Sequence, residues 1–171
     1  MRRKTKQITI TAAMTALSVA ILYIASIFPS GSFVFVAISS LAGIVTVIEY
    51  RLIAGVFVYA ATAILSFLIV PSKSIVLLYA LFFGYYPVIK SVFENFKSRF
   101  LEWICKIAVF NAVLTIFLIA FSSIIYDSLP FKIGTVFVVL IFNIVFILFD
   151  LGLSKLIAYY ISRISKKLKY K

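Results

Sequence analysis

The chain has 171 residues, 64% of them hydrophobic, and a mean hydropathy of +1.19. Only 13% are charged, against about 25% in soluble domains, so composition places it in a lipid bilayer with length for about six spans and none for a catalytic head outside. A net charge of +12 would point to nucleic acid in a soluble protein, but here the basic residues gather at the ends of apolar runs, where topology and anionic lipid account for them.

The first apolar run covers residues 8–28, behind the basic cluster Arg2, Arg3, Lys4 and Lys6. It lacks a convincing cleavage site and is read as a retained span rather than a signal peptide. Ala12, Ala16 and Ala20 recur every fourth residue within it. On a helix such positions fall nearly in line, and a stripe of small side chains lets a second helix approach closely. Inside lipid, where association depends on close packing, this is a docking face.

The runs that follow cover 32–48, 52–70, 74–89, 101–121 and 133–160. They are separated by Pro29-Ser30-Gly31, Glu49-Tyr50-Arg51, Pro71-Ser72-Lys73, the charged stretch 90–99, and the loop Tyr126-Asp127-Ser128-Leu129-Pro130. Each break carries turn chemistry or charge. The second and fourth runs are short, and one of them is open to a re-entrant reading. The last run continues into Ser162-Arg163-Ile164-Ser165-Lys166-Lys167-Leu168, a basic tail that either anchors on anionic lipid or meets a partner protein.

Charge orients the spans. With six crossings, one side receives Arg2, Arg3, Lys4, Lys6, Arg51, Lys90, Lys97, Arg99, Lys106, Lys155, Arg163, Lys166, Lys167, Lys169 and Lys171, and the other only Lys73 and Lys132. Fifteen against two puts both termini in the cytoplasm. The expected fold is therefore a single all-α transmembrane domain over residues 1–171. A Lys-, Ile- and Phe-rich composition with one Trp suits the plasma membrane of a low-GC bacterium.

Chemistry is sparse. Histidine is absent and Cys105 is the only cysteine, so imidazole and thiolate metal sites and an intrachain disulfide are unavailable. A serine nucleophile has no base at recognisable spacing, and the six glycines form no phosphate-cradling loop. No catalytic residue, metal or cofactor is expected, and energised transport would need a partner to supply the nucleotide machinery. Asp150, inside the last span, is either a proton or substrate site or the partner of Lys106. Glu49, Glu94 and Glu102 read as rim charges. Asn111 and Asn143 either tie helices or face a ligand. Tyr126, Asp127 and Lys132 surround Pro130 in an outer loop that either closes over a ligand or is simply wet. Tyr79, Phe82 and Phe83 give the fourth span an aromatic surface.

Six short spans with both ends inside, and a first helix reading Thr11-Ala12-Ala13-Met14-Thr15-Ala16-Leu17-Ser18-Val19-Ala20 behind a basic leader, resemble the substrate-binding S components of energy-coupling factor (ECF) transporters. The resemblance implies that Ala12, Ala16 and Ala20 meet a transmembrane coupling protein bound to two cytosolic ATPases. It also implies capture of a vitamin or similar small nutrient from outside, by a pocket on the later helices and outer loops. Tyr79, Asn111, Tyr126, Asp127, Lys132 and Asn143 collect there as substrate-binding candidates. A different class stands beside it: a non-transporting scaffold resembling the rod-shape protein of cell-wall machinery, in which the alanine stripe docks a permanent partner. A secondary carrier using Asp150 is disfavoured by the absence of internal repeats.

Overall fold

The first helix, α1 (Arg2–Ile27), buries Thr15, Ser18, Val19, Leu22 and Ala25. These recur at three- and four-residue intervals and so form one face. That face packs against α2 (Ser32–Tyr50) and α3 (Leu52–Ile69). Small and hydroxylated residues dominate the contact, as expected where helices associate by close approach rather than by expulsion of water. The Ser18 hydroxyl donates to the Ser39 carbonyl at 2.8 Å, bridging α1 and α2. Thr46 turns its hydroxyl back on the Ala42 and Gly43 carbonyls, at 2.9 and 2.8 Å, and so buries no unpaired donor.

Arg51 alone links α2 to α3. Its N–H donates to the Val47 carbonyl at 3.0 Å, and its backbone stands at φ 73°, ψ 174°. A side chain is strained in this left-handed region. The tight reversal presses α3 onto α2: a Cβ placed on Gly55 would collide with the Val47 side chain.

The fourth crossing is built from three pieces, α4 (Lys73–Leu78), a π-helical segment (Tyr79–Phe83) and α5 (Tyr86–Phe93). Pro87 opens α5, where the missing N–H costs no intrahelical bond. The computed structural model describes residues 2–28, 31–96, 98–120 and 135–162, all but short connections being helical. The remaining helices are α6 (Arg99–Ala120) and α7 (Thr135–Tyr160).

Among the described residues, six stretches are long and apolar enough to cross a membrane: Lys4–Ile27, Ser32–Tyr50, Leu52–Ile69, Lys73–Phe93, Arg99–Ile119 and Val136–Tyr160. The six-span expectation therefore stands, and the boundaries shift outward where charged residues continue a helix past the hydrocarbon. The first helix begins six residues before the apolar run does. The fourth runs on through Lys90, which is buried and pairs with Glu94 at 3.0 Å instead of forming part of a loop. The second stretch, a single helix, and the fourth, built of three pieces, are both long enough to cross. The chain divides into two compact units, Met1–Lys97 and Ser98–Lys171. The first holds α1 to α5, and the second holds α6 and α7.

Candidate functional site

The alanine stripe faces away from the α1 contacts. Ala12, Ala16 and Ala20 are all exposed, while Thr15, Ser18 and Val19 beside them are buried. An open groove of about 700 Å³ runs between α1 and α3 along this face. Lys4, Gln7 and Thr11 line it toward the N-terminus, and Ala12 and Ala16 follow. The α3 wall is Ala54, Phe57, Ala61 and Leu65. Ala20 is exposed beyond the groove. The Thr15 hydroxyl, on the groove floor, is already satisfied by the Thr11 carbonyl at 2.9 Å, leaving the wall apolar there.

A second cluster surrounds the π-helical segment. Tyr79, expected as aromatic surface, is only 1% exposed and packs with Leu22, Val36, Val70 and Val76. Tyr59 of α3 donates its hydroxyl to the Ala80 carbonyl at 3.0 Å, a carbonyl inside the π-helical turn. Its ring lies 6.3 Å from that of Tyr79 and 6.5 Å, edge-on, from that of Tyr85. Gly84 makes this possible, since a Cβ there would come within 2.8 Å of both the Tyr59 and Tyr79 rings. On the same face of α3, three and seven residues after Tyr59, Thr62 and Ser66 bury their hydroxyls, that of Thr62 facing Tyr79 and that of Ser66 without a hydrogen-bond partner. Unsatisfied buried hydroxyls are rare, and π-bulges inside α-helices recur at functional sites. The sequence reading missed Tyr59, Thr62 and Ser66. Their spacing on one helical face was the available signal.

In the second unit, three of the polar residues singled out in the sequence meet partners. Asn111 and Asn143 hydrogen-bond each other reciprocally, at 2.9 and 3.0 Å, and each also donates to the carbonyl four residues earlier, of Ile107 and Val139. The two amides bridge α6 and α7. One turn along, Phe110 stacks on Phe146 with centroids 4.3 Å apart. Beyond it, Lys106 reaches both Asp150 carboxylate oxygens at 3.3 Å and also Glu102, and Lys106 and Asp150 are each 2% exposed. Asp150 is thus the partner of Lys106. Glu94 and Glu102 are paired charges. Tyr126, Asp127 and Lys132 lie outside the described residues. Cys105 is half-buried and free.

Comparison with protein-family models, with curated proteins and with solved structures finds no match to this chain.

Proposed function

We propose that the chain is a substrate-capture subunit of an ECF-type importer. It takes up a small nutrient from outside and is driven by a coupling protein and ATPases that dock on α1. The observation that carries the reading is the exposure of Ala12, Ala16 and Ala20: a stripe made for close helix packing that α2 and α3 leave uncovered. The fifteen-to-two distribution of Lys and Arg supports an orientation with both termini in the cytoplasm of a bacterial cell. In that orientation the end of α3 and the start of α4 lie outside. Ser66, Thr62 and Tyr79 then fall in the outer half of the membrane, where a captured nutrient would be bound.

The mutual satisfaction of Asn111 and Asn143 favours a second reading, a non-transporting scaffold, because it removes two polar groups from any pocket. Affinity purification from the native membrane separates the two. The importer reading expects ATPases to co-purify with the wild-type chain and to be lost with Ala16→Trp. Co-purification of cell-wall proteins without ATPases supports the scaffold.

A further inference from the structure

The groove between α1 and α3 has a polarity gradient and a length that match a single lipid. Its N-terminal end presents the Lys4 ammonium with Gln7 and Thr11, and from Ala12 onward its walls are Ala16, Phe57 and Leu65. From Lys4 to Ala16, at about 1.5 Å per residue, the groove extends roughly 18 Å along α1. One leaflet of hydrocarbon is roughly 15 Å deep, half of the bilayer core. α1 and α3 run in the same direction, with α2 returning between them; the α3 wall is apolar throughout, and the polar end of the groove is supplied by α1 alone.

We infer that this groove binds one anionic phospholipid of the leaflet on the N-terminal side, its headgroup at Lys4 and an acyl chain along Ala12, Ala16 and Phe57. Charge decides for a lipid over an uncharged occupant. The wall cation is the first residue of the apolar span Lys4–Ile27, the position that meets headgroups when the span crosses a bilayer, on a helix that begins Arg2-Arg3-Lys4, while the α3 wall is apolar. A partner that docks on the alanine stripe must displace this lipid, but the inference holds for the free chain whether or not such a partner exists.

The test uses the purified full chain in vesicles. The natural Trp103 is changed to Phe, and a single reporter is placed on the groove wall by Phe57→Trp. Vesicles of phosphatidylcholine carry, at equal mole fraction, chain-brominated phosphatidylglycerol or chain-brominated phosphatidylcholine as quencher. The inference predicts about fivefold preferential quenching by the brominated anionic lipid, the effect of one basic contact at the surface. Lys4→Glu should abolish the preference, and so should Ala16→Leu, which fills the groove without changing charge. A merely basic membrane surface would keep its preference in Ala16→Leu, and that result overturns the inference. Equal quenching by the two lipids overturns it, as does quenching by neither, the sign of a protein helix in the groove. Leu65→Trp, deeper on the same wall, serves as the reporter if Phe57→Trp does not fold.

Discussion

Asn111 and Asn143 exchange two amide hydrogen bonds across α6 and α7, at 2.9 and 3.0 Å. Each amide is the other's donor and acceptor, so removing one leaves the other with only its bond to the backbone carbonyl four residues earlier. Asn111→Leu should lower stability by about 1 kcal/mol, within the range of interhelical polar pairs in membranes. Asn111→Leu with Asn143→Leu should cost less than the two single changes summed. A double-mutant cycle by denaturant unfolding in bicelles measures the difference, and strict additivity would show that the amides act separately.

The ion pair farther along the same interface behaves differently. Asp150→Leu leaves the Lys106 ammonium buried with Glu102 as its remaining carboxylate, and the cost should approach the roughly 3 kcal/mol of a broken buried pair. Lys106→Met combined with Asp150→Leu removes both charges and should recover most of the loss. Thermal unfolding in detergent compares the three proteins. Full stability in Asp150→Leu alone would rule out the structural role given to this carboxylate.

Ser66 buries an unpaired hydroxyl on the face of α3 that carries Tyr59, whereas the Thr62 hydroxyl there faces Tyr79. Ser66→Ala should stabilise the free protein by about 1 kcal/mol, since an unsatisfied buried polar group costs about that much or more. If the hydroxyl receives a ligand, the same variant loses the stabilisation that the ligand confers. A melting temperature below that of the wild type would mean that the Ser66 hydroxyl is satisfied in the folded protein.

At Arg51, φ 73° with ψ 174° is a conformation that glycine adopts freely. Arg51→Gly should raise stability by about 1 kcal/mol. At Gly55 the sign reverses: Gly55→Ala drives a methyl into Val47, and Val47→Ala in the same chain should relieve it. Unfolding midpoints of the four proteins check both statements, and a destabilised Arg51→Gly would remove the strain argument.

Much of this fold was legible in the sequence because bilayer crossing imposes a length and a polarity on every span. Apolar runs and their punctuation gave six helices, and the stripe at Ala12, Ala16 and Ala20 could be read from spacing alone. Periodicity does not reveal which way the stripe faces, because small and apolar residues occur on every side of α1 beyond Thr11, and the buried side mixes Thr15 and Ser18 with Val19, Leu22 and Ala25. The π-helical turn was also invisible, since it depends on the Tyr59 bond to the Ala80 carbonyl and on the room that Gly84 leaves. Asn111 and Asn143 were recognised as deep polar groups, but their partnership needed the register of α6 against α7. Lys90 falls in a charged break of the sequence pattern, whereas its pairing with Glu94 one turn on keeps it in the helix.

The central claim is that this chain captures a small nutrient by itself and relies on others for energy. Thermal stability of the purified protein against a panel of vitamins, without ATP, tests it most directly, because a ligand that binds only the folded state raises apparent stability in proportion to its concentration over Kd. A capture subunit shows a concentration-dependent rise in melting temperature with one chemical class of the panel, retained in Ala16→Trp. No rise with any member, in protein whose fold is confirmed by circular dichroism, would contradict it and leave the scaffold reading.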